Sequence, residues 1–276
     1  MKVYFLDRNI VSIIKNSNSG ISAKDKNKFE LLKKLRQIDR KKSFITPMLS
    51  IMEGEKARLQ AHDEVKKLLD DELSACEKFF DHAEIDYFLK EHSEDLINML
   101  ISKDYKESIN REINFLFEIN KFIFQKRKAE TRKKLKIDIL KTAEKYNLHK
   151  TQPVVFSSLL CLYNNEICRK ILKPKQKIFE KNYFYNAVMD FKYFSFFSML
   201  TKNISYSYRS GYKSKVHFEF ITGDKNLNSF FKYFCIEGSS LYSDGFSLKF
   251  RLSEEGNKIL PLELQDIFLE KRSLRM

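Results

Sequence analysis

Val3-Tyr4-Phe5-Leu6 is a run of four apolar positions that stops at Asp7. With no polar alternation it reads as a short strand buried on both faces. The period then changes. Ile10, Val11, Ile13 and Ile14 fall on one side of a helix predicted from near Asn9, and Asn16-Ser17-Asn18-Ser19-Gly20 ends it. Phe29, Leu32, Leu35 and Ile38 predict a second helix from Lys26 to Arg40. Ser43-Phe44-Ile45 predicts another short strand, after which Pro47 opens a helix through Met48, Leu49, Ile51 and Met52.

From about residue 56 to 180 the pattern is that of long, charged helices with very few glycines. Leu68, Leu69, Phe79, Phe88, Leu96, Leu100, Phe115 and Phe122 supply the apolar stripes of a helical bundle. One long helix is predicted from Ile109 to Tyr146. Tyr183 to Leu200 is apolar nearly all round and reads as a buried helix whose one acidic residue is Asp190. Val216 to Thr222 reads as a strand, Asp224 to Phe234 as a short helix, and Asp244-Gly245 as the turn of a hairpin between Ser239–Ser243 and Phe246–Leu252. The chain therefore predicts an α/β fold at both ends with a helical insert: a discontinuous domain of residues 1–58 and 183–276, and an insertion of residues 59–182.

Composition narrows the class. Of 276 residues 43% are hydrophobic, including 25 Phe and 13 Tyr, too much apolar surface for a disordered chain, while the 32% charged fraction is too interspersed for a membrane protein. No stretch reaches the roughly 18 apolar residues of a spanning helix, and Asp7 comes too early for a signal peptide. The four cysteines form no C-x-x-C pair, which argues against zinc and a disulfide framework and for a reducing, cytoplasmic setting. A formal charge of +14 favours polyanions, nucleic acid ahead of a membrane surface. Abundant Lys, Asn, Ile, Phe and Tyr is also what AT-rich coding DNA yields, so charge alone assigns no partner. Lys126-Arg127-Lys128 and Arg132-Lys133-Lys134 are candidate nucleic-acid contacts, with a merely solvated helix face as the alternative.

Two acids follow short buried strands: Asp7 directly, and Asp224 after a single glycine. The crevice beyond the carboxyl ends of strands is where open α/β sheets bind ligands. Glu53 lies in the helix after the second strand, with Glu55 as a rival, and Asp190 is the fourth acid. Each has a structural reading. Asp7 and Asp224 cap helices, Glu53 faces water near Lys56 and Arg58, and Asp190 pairs with a basic side chain. Capping leaves unexplained a carboxylate midway along an aromatic helix.

Leu6-Asp7-Arg8-Asn9-Ile10-Val11-Ser12, Ser50-Ile51-Met52-Glu53-Gly54, Asp190 opening Phe191 to Leu200, and Thr222-Gly223-Asp224-Lys225 together resemble the PIN-domain family of metal-dependent nucleases. The resemblance covers residues 1–58 and 183–252 and implies a three-layer α/β/α fold with a mainly parallel sheet. It implies Asp7, Glu53, Asp190 and Asp224 as the acids that hold Mg²⁺ or Mn²⁺, with Asn9, Ser12 and Thr222 orienting them. It also implies a nuclease acting on RNA first and single-stranded DNA second, in the manner of a bacterial toxin or phage-defence effector. The chain departs from the family pattern in bulky Arg8 and in the long insertion before Asp190. That insertion would dock an inhibitory or activating protein partner.

The chemistry can be argued without the family. Two unit charges 4 Å apart repel by about 4 kcal/mol at an effective dielectric near 20, so several carboxylates in one pocket must take up protons or bind a cation. Oxygen-only donors select hard ions, Mg²⁺ or Mn²⁺ over Zn²⁺. Arg8 and Lys225 lie beside the acids in sequence and are candidate phosphate contacts. The competing class is a binding protein without catalysis, in which basic helices hold nucleic acid or a partner and the acids are structural. Phosphate-binding glycine loops and H-E-x-x-H spacing are absent.

Overall fold

The computed structural model describes residues 1–20, 25–55, 57–196, 217–242 and 245–268. The chain forms two compact units, Met1–Lys106 with Asn203–Asp224 and Glu107–Lys202 with Lys225–Met276.

In the first unit β1 (Lys2–Leu6), β2 (Ser43–Thr46), β3 (Glu84–Ile85) and β4 (His217–Ile221) form a parallel sheet in the order β3-β2-β1-β4. Val3 to Leu6 are all buried, which is why the run carries no polar alternation. Phe5 is level with Thr46 of β2, and Leu6 with Ile221 of β4. Residues that follow these three strands therefore emerge along one edge. Helices α1 (Arg8–Asn18), α2 (Lys26–Ile38), α3 (Met48–Glu53), α4 (His62–Phe79), α5 (Phe88–Glu91) and α6 (Ser93–Ile101) complete the described part of the unit. α4 packs on α1, α3 and α6. Leu6, Ile10, Ile14, Leu69 and Cys76 are almost wholly buried, each large aliphatic contributing roughly 1.5–3 kcal/mol of burial free energy. This α/β unit with a parallel sheet is compatible with a three-layer α/β/α arrangement.

β3 is too short, at two residues, to register as a strand in the sequence pattern. Asp39 fixes it from outside by accepting from the N–H groups of Asp81, His82 and Ala83 at 2.8–2.9 Å. β3 and α4 lie in residues assigned from sequence to the helical insertion, yet they belong to the sheet unit, whose first segment runs to Lys106.

The second unit contains α7 (Lys103–Ile123) from Glu107 onward, α8 (Ala129–Lys145), α9 (Pro153–Leu162) and α10 (Glu166–Leu172). A 3₁₀ turn (Lys181–Phe184) leads into α11 over residues 185–196. After the chain returns come α12 (Lys225–Tyr233), the antiparallel hairpin β5 (Phe234–Tyr242) and β6 (Gly245–Leu252), α13 (Glu254–Ile259) and α14 (Leu262–Phe268). All ten residues of α9 are buried, with Pro153 in the first turn, where its missing N–H costs nothing, and α9 packs against α8 and α10. Phe191 and Phe194 of α11 pack on Phe230 of α12 at ring separations of 5.3 and 5.8 Å.

The single helix predicted from Ile109 to Tyr146 is two helices, with a break between Ile123 and Ala129. Two guanidinium groups account for it. Arg169 donates to the carbonyls of Ile123 and Phe124 at 2.9 Å, and Arg127 to those of Lys121 and Phe122 at 2.7 and 3.2 Å. Carbonyls at a helix C-terminus have no partner within the helix, and these donors satisfy them better than another turn of helix would. Residues 197–200, Val216 and the Ser243-Asp244 part of the predicted hairpin turn lie outside the described residues. Among the described residues no helix is long and apolar enough to cross a membrane.

Candidate functional site

The first acid is placed by the strand that precedes it and the helix that follows. Asp7 leaves β1 with its N–H donating to the Ile221 carbonyl at the end of β4, 3.2 Å away. Its carboxylate caps α1, accepting from the Ile10 N–H at 2.8 Å. It also accepts from the Thr222 hydroxyl, whose oxygen in turn accepts from the Asp224 N–H at 2.9 Å. Thr222 thus ties the first acid to the backbone of the last. Asp7 is only 3% exposed. Burial pushes its carboxyl up to about 6, the Thr222 and Ile10 hydrogen bonds pull against that, and the charges of Glu53 and Asp224 push it further.

Glu53 is the last residue of α3 and is half-buried. The helix stops there because Gly54 takes a positive φ of 68°, a conformation that a side chain disfavours, and its N–H closes on the Ser50 carbonyl. Arg8, half-buried at the start of α1, donates to the Gly54 carbonyl and so links the two helices. Glu55 lies beyond the helix and is exposed, which leaves Glu53 as the acid that faces Asp7. Asp224, half-buried, is the second carboxylate whose charge Asp7 feels.

Sequence reasoning passed over a fourth acid in this unit. Glu72 of α4 is 2% exposed, accepts from the Ser50 hydroxyl at 2.8 Å and has the Lys15 ammonium at 3.8 Å. Its second oxygen, Oε2, is buried without a hydrogen-bond partner. Burial raises this carboxyl to about 7; Ser50, Lys15 and Arg8 oppose the shift and Glu53 adds to it. The signal was present in the pattern. Glu72 occupies a core position in the stripe Val65, Leu68, Leu69, Leu73, Cys76 and Phe79, where an aliphatic residue is expected. Asp86, after β3, is a further buried acid at the same sheet edge; burial raises it against hydrogen bonds from the Thr46 hydroxyl and the Leu89 and Phe88 N–H groups. Among the described residues no three His, Cys, Asp or Glu side chains have converged into a metal cage.

No protein-family model, curated protein or solved structure matches this chain.

The remaining sequence-derived candidates distribute as follows. Asn9 and Ser12 are exposed on α1, so the residues that hold the Asp7 carboxylate are Ile10, through its N–H, and Thr222. Asp190 is half-buried in α11 of the second unit, between the buried Met189 and Phe191. Lys225 is exposed at the first position of α12. Lys126 and Lys133 are exposed, whereas Arg127 serves the α7 terminus and Arg132 lies over the Tyr163 ring at 5.1 Å. Of the aromatic and basic residues around α11, Phe184, Tyr185 and Tyr193 are core. Lys192 is taken by Glu112 and Ser108, each at 2.6 Å.

Proposed function

We propose that this chain is a metal-dependent endonuclease of the PIN-like type, an endoribonuclease acting as a toxin or defence effector. The observation that carries the reading is Asp7. A buried carboxylate at the carboxyl edge of a parallel sheet is held by Thr222 and Ile10 in the combined negative field of Glu53 and Asp224.

The donor atoms are of the type a hard divalent cation takes, although the three carboxylates have not closed around one position. Asp7, Glu53 and Asp224 offer only oxygen, and burial has made the Asp7 charge costly enough that a cation would relieve it. These three would hold Mg²⁺ or Mn²⁺. When bound, such an ion lowers the pKa of water and neutralises charge developing on a phosphodiester. The protein's own residues do the rest. Thr222 accepts from the Asp224 N–H while its hydroxyl holds Asp7, and Gly54 ends α3 so that Glu53 stands at its tip. Arg8 holds the end of α3 through the Gly54 carbonyl.

The test is cleavage of labelled RNA and single-stranded DNA with Mn²⁺ and with EDTA. RNA cutting that EDTA stops and that Asp7→Asn and Asp224→Asn abolish supports the reading; folded variants that cut as fast as the parent overturn it.

A further inference from the structure

The second unit carries a groove between one face of α7 and the extended segment that follows α10. Two adjoining cavities of about 410 and 380 Å³ share Phe117, Glu118 and Lys121 as their floor. Gln176 to Phe179 form the far wall of the larger one.

That wall is held in place. Asn120 of α7, itself buried, donates from its side-chain amide to the Lys175 carbonyl at 2.7 Å and accepts from the Lys175 N–H at 3.3 Å. Further along, the Tyr183 hydroxyl donates to the Lys173 carbonyl at 2.7 Å, and the Lys175 ammonium lies 4.7 Å from the centre of the Tyr183 ring. Both ends of the segment are anchored, so the residues between them meet a ligand with little ordering left to do.

Apart from the exposed Glu180, what they present is aromatic and cationic. Phe179 is 87% exposed, the most exposed of the large hydrophobic residues described, beside Lys177 and Lys181 on the same strand of chain. Lys121 faces them from α7. The one acid on the floor, Glu118, is already neutralised by the Lys145 ammonium at 2.6 Å and the Tyr146 hydroxyl at 2.9 Å. Among the described residues Lys177 and Lys181 make no ion pair, while the Lys121 ammonium lies 5.0 Å from the centre of the Phe122 ring and adds its charge to those facing Glu118. An exposed ring with ammonium groups near it has the chemistry that stacks a base and holds the flanking phosphates.

We propose that this groove binds an unpaired stretch of nucleic acid, with a base stacked on Phe179 and the flanking phosphates on Lys121, Lys177 and Lys181. The proposal concerns binding alone and stands whether or not the acids of the first unit cut. It also moves the main contact away from the Lys126 to Lys134 cluster, where two of the arginines already serve the fold.

The experiment is fluorescence anisotropy of the full chain with a labelled oligouridine of about twelve nucleotides in EDTA, so that no cutting intervenes. Phe179→Ala, a surface change that leaves the core intact, should weaken binding about tenfold, and Lys177→Glu should weaken it and lower the dependence on salt. Lys33→Glu, on exposed α2, changes the net charge equally and serves as the control. Duplex RNA of the same length should bind more weakly than the single strand. Unchanged binding by Phe179→Ala, equal losses from Lys177→Glu and Lys33→Glu, or no binding by the parent would each overturn the proposal, the last leaving the groove to a protein partner.

Discussion

The buried acids of the two units are built differently. In the second, Glu112 is nearly enclosed but has the Lys192 ammonium at 2.6 Å, which offsets its loss of water, and the partly exposed Glu118 meets Lys145 and Tyr146 at the surface. In the first, Asp7 and Glu72 are at least as deeply buried, yet Asp7 answers to two hydrogen bonds and two like charges, and Glu72 keeps one oxygen with no partner. The second unit uses acids as fasteners. The first holds them in a state that favours proton or cation uptake.

The largest effect expected from this contrast is on activity. Asp224→Asn should reduce metal-dependent cleavage by more than the ~10–100-fold that loss of an outer partner of a metal site typically causes, read as kcat on an RNA substrate. The same substitution at Glu118 should leave cleavage within a few-fold of the parent.

Stability should move the other way. A carboxyl raised from 3.8 to about 6 on folding contributes its full share of stability below the unfolded value and loses it as pH rises through about 6. Above that pH the ionised Asp7 is a liability. Asp7→Asn should therefore raise stability by about 3 kcal/mol at pH 7.5 and by little at pH 4, measured by denaturant unfolding at both pH values. Glu72→Gln should behave alike, with its transition between the usual 4.5 and about 7. Breaking a fastener gives the opposite sign: Lys192→Met should destabilise by leaving Glu112 buried and uncompensated, by about 3 kcal/mol.

A smaller effect sharpens the role of Thr222. Thr222→Val keeps the shape and removes the hydroxyl that lowers the Asp7 carboxyl, so the acid limb of the pH–rate profile should shift to higher pH. An unmoved limb would mean that Thr222 does not govern the group that titrates.

Much of the acidic edge was legible in the sequence because it depends on local signals. A four-residue apolar run ending at Asp7, a Pro47 helix start and the Thr222-Gly223-Asp224 turn each announce themselves within a few residues, and the structure brings Asp7, Glu53 and Asp224 into one field. What was missed depends on distant partners. β3 exists because Ile45 of β2 and the Asp39 carboxylate organise two residues that carry no pattern of their own. The helix break after Ile123 is made by Arg169, 46 positions away. Glu72 stands in the apolar stripe of α4, but what it does there shows only once Ser50 and Lys15 are seen beside it. The basic run near Lys126 looked like a binding face, but two of its arginines are spent on a helix end and an aromatic ring.

The most direct test is a thermal-shift titration with Mn²⁺ at pH 5 and pH 7.5 on the parent and Asp7→Asn. The account predicts a rise in Tm with Mn²⁺ that is larger at pH 7.5, where the cation no longer competes with a proton on Asp7, and that disappears in the variant. A rise of equal size in both proteins, or none in the parent at either pH, would contradict it.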